Sequence, residues 1–183
     1  KEPGVLIQHG RILRVVYGVR NMSSQKVNIK RAHEEMLDAL KDIKKDFDDS
    51  GIDGVLSENI QRDALEKFSY VSPIGAAGLY YHATAADFQR EGKQREAFKT
   101  MIREIAALAE AMGVPFERDM VEVNLKILSS LAPEATTSMQ RDVMEGKDSV
   151  IDGLVYEVVR MGERYNVPGP MYPKVAEKLR ENL

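Results

Sequence analysis

A lysine on a predicted apolar helix face is the first residue of this chain that could do chemistry. Lys67 shares one face of a helix with the residues four, seven, eight and eleven positions later, which are Val71, Ile74, Gly75 and Gly78. An ammonium group on such a face is costly to bury unless something pairs with it. A positioned cation can donate a proton or stabilise negative charge on an oxygen. The alternative, which the residues by themselves favour, is a lysine whose methylenes cover the core edge while its charge stays in water.

A serine hydroxyl at a predicted helix start is the second candidate. Ser138 follows Thr137, and Thr137-x-x-Gln140 predicts a capping box, as does Ser149-x-x-Asp152 further along the chain. In that interpretation Ser138 merely assists Thr137 at the start of a helix. A serine hydroxyl that capping leaves free can also donate or accept a hydrogen bond with a ligand.

Other catalytic and binding patterns do not occur in the sequence. Gly75-x-x-Gly78 lacks the G-x-G-x-x-G order and follows a predicted helix, so it indicates close helix approach or open space above Lys67 and not a dinucleotide loop. His9, His33 and His82 are far apart, and with no cysteine in the chain we expect no metal site. Neither a P-loop nor a Ser-His-Asp arrangement is present.

Composition limits the classes of partner. The 183 residues are 43% apolar, which is enough for a real core, and the net charge of −3 comes from evenly mixed acids and bases. A nucleic-acid partner is not expected, because it would need a concentrated basic face. No apolar run approaches the roughly 20 residues of a membrane span, so no membrane partner is expected. The absence of cysteine fits a reducing compartment, and we expect a cytoplasmic protein.

The elements that must position these residues change character along the chain. The first part predicts strands at Val5–Ile7 and Ile12–Tyr17, a helix from Ser24 or Asn28 to about Phe47, and a short strand at Gly54–Leu56. From Ser57 onward everything predicts helices. The expected helices cover about 57–81 with an interruption at Pro73, and then 93–113, 117–131, 137–145, 149–165 and 171–182.

Three segments together resemble one known family. Thr136–Val143, Ser149–Leu154 and Asn166–Pro170 are similar to the C-terminal helical domain of ketopantoate reductases (2-dehydropantoate 2-reductases), which reduce a 2-keto acid with NADPH. The resemblance implies that Lys67 is the general acid and that Ser138 binds substrate. It is strongest over residues 137–175, moderate around 60–113, and rests on pattern alone before 56.

Three positions depart from the family pattern. The family has two asparagines one and two turns after the lysine, where this chain has Val71 and Gly75, and a glutamate where it has Val150. The resemblance assigns all three polar groups to substrate binding or to positioning the lysine. Their replacement predicts a more apolar pocket and a substrate other than ketopantoate, because a site built on hydrogen bonds selects strongly by them. Reduction of another 2-keto acid, or of a bulkier ketone, remains the expectation.

The predicted architecture is mainly α. Residues 1–56 form the tail of a nucleotide-binding α/β domain, and residues 57–183 form an all-helical domain for substrate binding and dimerisation. A chain that starts at Lys1 and not at Met is expected to be a fragment, inactive alone, with NADPH bound mainly by a domain before Lys1. The resemblance also implies a homodimer.

Two other classes stay open. One is a reductase-derived domain that is kept for binding or dimerisation without catalysis. The other is a different helical-domain dehydrogenase, of the 6-phosphogluconate or opine type, although that class would need a basic pocket that the Gly75 and Val150 region does not offer.

Overall fold

The computed structural model of the chain describes residues 13–20 and 27–182, with the backbone alone for 27–33 and 182. The predicted strand Val5–Ile7 and the residues near Ser24 lie outside this part. The chain divides into two compact units, with the boundary between Asp63 and Ala64. The domain roles predicted from the sequence, with their boundary after residue 56, stay a prediction.

The first unit contains a strand, a helix and a second strand. Strand β1 (Arg14–Tyr17) and strand β2 (Asp53–Leu56) are parallel neighbours, and helix α1 (Val27–Asp49) connects them. Helix α1 packs on the strands through Phe47, whose ring meets the Tyr17 ring edge-on at 5.3 Å. A Cβ on Gly54 would lie 2.7 Å from the Phe47 ring, so only glycine fits beneath it. A strand, crossover helix and parallel strand is the unit from which nucleotide-binding sheets are built.

The second unit is helical, which confirms the predicted mainly α class. Its longer helices match the predicted segments, whereas the five-residue α3 was not predicted. The helices in chain order are α2 (Ile60–Tyr81), α3 (Ala85–Gln89), α4 (Lys93–Ala111), α5 (Met120–Ser129), α6 (Ser138–Met144), α7 (Glu157–Arg164) and α8 (Tyr172–Asn182). A π-helical turn, Asp152–Tyr156, runs directly into α7. None of the described helices is both long and apolar enough to cross a membrane.

Helix α4 lies within the predicted segment 93–113 and packs one apolar face into the core. Its apolar face is buried along nearly its whole length, and the buried apolar residues are Ala97, Phe98, Met101, Ile102, Ile105, Leu108 and Ala109. Gly113 follows the helix with φ of +76°, a left-handed conformation that favours glycine after a helix end.

The predicted interruption at Pro73 is wrong, because α2 runs unbroken through it. Proline has no N–H, so the carbonyl of Ser69 loses its usual helical donor. The Nδ2 amide of Asn124, on α5, donates to that carbonyl at 3.0 Å and to the Ser69 hydroxyl at 3.1 Å. A side chain from another helix thus replaces the missing backbone bond, which lets the helix continue.

The capping box predicted at Ser149 is also wrong. No hydrogen bond of the Ser149 hydroxyl occurs among the described residues, and Asp152 instead accepts two bonds from Arg160, at 3.0 and 2.8 Å. The chain enters helix through the π-helical turn, where the Glu157 N–H donates to the Asp152 carbonyl five residues earlier. The hydroxyl of Ser72, on α2, donates to the Leu154 carbonyl within this turn.

Candidate functional site

Lys67 lies in the second turn of α2 with its side chain exposed. Its ammonium forms neither a hydrogen bond nor an ion pair with any residue in the described part of the chain. The adjacent carboxylate of Glu66 does not compete for it, because Glu66 pairs with Arg118. The lysine is therefore a charged group in solvent reach, free to meet an anion or a carbonyl oxygen.

Ser138 is the first residue of α6 and is also exposed. The predicted capping box beside it is confirmed. The Thr137 hydroxyl accepts from the Gln140 N–H at 3.2 Å, and the Gln140 side-chain oxygen accepts from the Thr137 N–H at 3.0 Å. The Ser138 hydroxyl takes no part in this box and has no hydrogen-bond partner among the residues described. Capping therefore does not occupy the hydroxyl of Ser138.

Two glycines let the start of α6 rest directly on α2. A Cβ added at Gly75 would lie 2.6 Å from Cε of Met139, and one added at Gly78 would lie 2.5 Å from Cδ of Gln140. Gln140 is held in place by a further bond, in which its Nε2 donates to the Ala83 carbonyl at 2.8 Å. This contact confirms the close helix approach that the Gly75-x-x-Gly78 spacing indicates.

The packing of α6 on α2 also relates the positions of Lys67 and Ser138, because Gly75 lies on the predicted helix face of Lys67. Gly75 follows Lys67 by eight residues, which corresponds to about 12 Å along a helix axis. Ser138 stands beside Thr137, whose hydroxyl oxygen would lie 3.4 Å from a Gly75 Cβ. Between the lysine and the serine the face carries half-buried Val71 and then Gly75. Lys67 and Ser138 therefore form no hydrogen bond with each other, and the apolar positions Val71 and Gly75 lie on the helix face between them.

Val150 lies apart from this strip, at the entrance to the π-helical turn, and is 57% exposed. Its carbonyl accepts the Leu154 N–H at 3.0 Å, which is the first helical bond of the segment. The turn is fastened to α2 by Ser72, the neighbour of Val71, which bonds both the Leu154 carbonyl and the hydroxyl of buried Tyr172.

Sequence reasoning missed one feature next to these residues. A cavity of about 170 Å³ lies between α2, α3 and the segment that leads into α6, and Tyr70 is one of its walls. The Tyr70 hydroxyl is buried and has no hydrogen-bond partner among the residues that the structure describes. The only signal in the sequence is that Tyr70 follows Lys67 by three positions, which is uninformative without the neighbouring helices.

Several glycines in the described part of the chain pack closely against other residues and do not border open space. The space over four glycines is already filled by this chain's own atoms. These glycines and their neighbours are Gly18 with Ser57, Gly54 with Phe47, Gly75 with Met139 and Gly78 with Gln140. No cluster of three or more His, Asp or Glu side chains suited to a metal ion occurs within the described ranges.

Comparison with known proteins identifies relatives of this chain. Residues 59–182 match the family model described as ketopantoate reductase PanE/ApbA C terminal. No curated protein sequence matches the chain significantly.

Solved structures share the fold. The 2-dehydropantoate 2-reductase of Methylococcus capsulatus is 27% identical, with a TM-score of 0.67 over 78% of this chain and 46% of the other. A dimeric ketopantoate reductase from Staphylococcus aureus is 21% identical, with a TM-score of 0.69 over 78% and 50%. A D-mandelate dehydrogenase, solved with NADH and anilino(oxo)acetate, is 17% identical, with a TM-score of 0.66 over 76% and 46%.

These matches cover about half the length of each of the three solved relatives. The family model, by contrast, covers most of this chain, from the start of α2 to the end of α8. The chain therefore belongs to the ketopantoate reductase family and carries its C-terminal helical domain.

Proposed function

We propose that the complete protein reduces the ketone of a 2-keto acid with NADPH, using Lys67 as the general acid and Ser138 to bind the substrate. The observation that carries this proposal is the docking of α6 on α2. Ser138 then lies near one end of a helix face and Lys67 near the other; the Ser138 hydroxyl and the Lys67 ammonium are both exposed and have no partner among the described residues. Membership of a reductase family supports the assignment of these two groups.

The chemistry needs these two groups in different places. A bound NADPH would supply the hydride that the carbonyl carbon accepts, which would leave negative charge on the carbonyl oxygen. The ammonium of Lys67 stabilises that oxygen and donates the proton that completes the alcohol. The hydroxyl of Ser138 donates a hydrogen bond to the carboxylate, which orients the ketone toward the lysine.

The substrate we propose carries an apolar side chain. The family asparagine position at 75 is a glycine covered by the methyl end of Met139, and the positions at 71 and 150 are valines. None of the three side chains can hydrogen-bond a polar substrate group. A substrate that offers apolar surface there leaves no polar group unpaired, whereas ketopantoate would lose the directional contacts that the family provides.

Replacing Lys67 tests the catalytic role in the complete protein. We expect Lys67→Met to lower kcat/KM for keto-acid reduction by roughly 10² to 10⁴, the usual contribution of a positioned general acid. Because substrate binding rests mainly on other groups, KM should change far less than kcat. The measurement is steady-state oxidation of NADPH, and of NADH in parallel, with a panel of 2-keto acids.

The matched control is Lys126→Met, which removes an exposed lysine of α5 that pairs only with Glu122. Activity of Lys67→Met equal to that of the control would exclude Lys67 as the acid. A panel on which only phosphorylated acids react would favour the 6-phosphogluconate type of dehydrogenase instead.

A second candidate function is binding or dimerisation without catalysis. It is favoured by the packing of Met139 against Gly75, which leaves no open space at that position. Lack of any NADPH oxidation by the complete protein, across the whole panel, would support it.

We further propose that the complete protein is a cytoplasmic homodimer. The dimeric relative from Staphylococcus aureus supports the dimer, and the absence of cysteine fits a reducing compartment. Light scattering that gives the mass of two subunits, together with recovery in the cytoplasmic fraction of the cell, would agree with this proposal.

A further inference from the structure

An open cleft runs along the solvent-facing side of α4. Its volume is about 480 Å³, whereas a cavity of about 150 Å³ in a protein is enough for benzene. It lies between the second half of α4 and the segment that leads into α5. Ala106 and Ala107 of α4, both half-buried, line this cleft together with half-buried Phe116 of the connecting segment. The cleft therefore presents apolar surface that the described part of the chain leaves open.

The walls of this cleft carry both signs of charge in equal number. Arg103 and Glu110 of α4 are exposed, and Arg118 and Asp119 belong to the connecting segment. Arg118 pairs with Glu66 of α2, and the Asp119 carboxylate caps α5. Arg103 and Glu110, by contrast, form no ion pair with another of the described residues. Balanced charge of this kind suits a partner surface that also carries both signs, and it does not favour a simple anion or cation.

The two unpaired charges are placed symmetrically on α4. Seven residues separate Arg103 from Glu110, which puts them on one helix face about 10.5 Å apart along the axis. The midpoint between them falls between Ala106 and Ala107. When two copies of α4 cross antiparallel about a twofold axis at that midpoint, Arg103 of each copy faces Glu110 of the other. The small alanines at the axis allow the close end of the 8–10 Å range of helix separations.

We propose that this cleft is the contact surface between two copies of the chain, whose α4 helices pack antiparallel about a twofold axis. Arg103 of each subunit pairs with Glu110 of the partner subunit, while Phe116 and the two alanines form the apolar centre of the contact. An apolar centre within a charged rim is the usual composition of a protein interface. This inference rests on the proposed function for the existence of a homodimer, and on the residues of α4 for the surface that forms it.

Charge reversal tests this pairing in the complete protein. We expect Arg103→Glu to raise the Kd of the dimer by at least about tenfold, because it puts a carboxylate opposite Glu110 of the partner subunit. Glu110→Arg should have the same effect by facing two cations. The matched control is Arg90→Glu, which reverses an exposed arginine after α3 and should leave the Kd unchanged. Sedimentation equilibrium measures the Kd of each protein, and circular dichroism verifies that each variant is folded.

A mixture of the two reversed proteins separates loss of pairing from damage to the fold. An Arg103→Glu chain and a Glu110→Arg chain together regain two pairs of opposite charge across the axis. An equimolar mixture should therefore form a heterodimer with a Kd near that of wild type. Reversals that leave the dimer unchanged, or folded variants whose mixture stays monomeric, would overturn the proposed surface. A wild-type protein that is monomeric at every concentration would refute both the surface and the homodimer, whereas NADPH oxidation tests the reductase assignment separately.

Discussion

Two glycines of α2 have structural roles that depend on the side chains of α6 packed against them. At Gly75 the methyl end of Met139, which is 1% exposed, packs directly against the helix backbone. Gly78 makes room for Gln140, the residue that completes the capping box of α6. The two glycines thus fix the position of the start of α6, and with it that of Ser138.

Gly78→Ala tests this role at the level of a single methyl group. Alanine gains up to about 1 kcal/mol in helix propensity over glycine. The added methyl would displace Gln140 from its bonds to Ala83 and Thr137, and the buried groups left behind cost more. We expect a net loss of roughly 1 to 2 kcal/mol in the free energy of unfolding, measured by urea denaturation.

The matched control is Gly153→Ala, because a Cβ at Gly153 meets nothing within 4 Å. This variant should be neutral or stabilising. An equal change in stability for the two variants would show that the Gln140 contact has no energetic role.

At the scale of elements, two helical segments contain a backbone carbonyl that accepts a hydrogen bond from a side chain of another helix. Asn124 of α5 donates to the Ser69 carbonyl, which Pro73 leaves without a backbone donor. Ser72 of α2 donates to the Leu154 carbonyl in the π-helical turn. Both bonds involve residues of α2 close to Lys67. These two bonds therefore connect α2, the helix that carries the proposed acid, to α5 and to the π-helical turn.

Asn124→Ala should lower the free energy of unfolding by about 2 to 3 kcal/mol, since it leaves a buried carbonyl unsatisfied. In a Pro73→Ala background the restored backbone N–H of residue 73 can bond the Ser69 carbonyl. The cost of Asn124→Ala should then fall by about 1 kcal/mol, which a double-mutant cycle in chemical denaturation would detect. Identical costs in the two backgrounds would mean that Asn124 does not compensate for the proline.

At the scale of the whole molecule, one buried carboxylate ties the middle of the chain to its last helix. Glu104 of α4 accepts the backbone N–H groups of Met171 and Tyr172, at 2.8 and 3.1 Å, where α8 begins. Burial raises the pKa of Glu104, although the two N–H donors act in the opposite direction. The charged form is thus penalised in the folded protein.

The sign of the resulting pH dependence follows from proton uptake. An acid with a raised folded-state pKa binds more protons when folded, so its contribution to stability falls as pH rises from about 4.3 through the folded-state pKa. Glu104→Gln should remove this contribution. The stability of the variant relative to wild type should therefore improve between pH 4 and pH 7, as measured by thermal unfolding at each pH. Glu110→Gln, at an exposed position of the same helix, is the matched control for the substitution itself.

Local sequence determined much of this fold. The apolar periodicity of α4, the capping box of Thr137 and Gln140, and the alternation of strand, helix and strand before residue 57 were all readable, because each depends on residues a few positions apart. The residues also marked Lys67 and Ser138 as groups able to do chemistry, and Val71, Gly75 and Val150 as departures from the family pattern.

Tertiary structure alone decided the features that depend on distant partners. Pro73 continues a helix because of an asparagine 55 residues from Ser69, and the π-helical turn is held by a serine 82 residues from its carbonyl. The cavity beside Tyr70 exists only where three segments meet. Sequence spacing specifies which backbone groups pair within a segment. The partner of a group that the segment leaves unpaired, and the space left between segments, depend on packing across the whole helical unit.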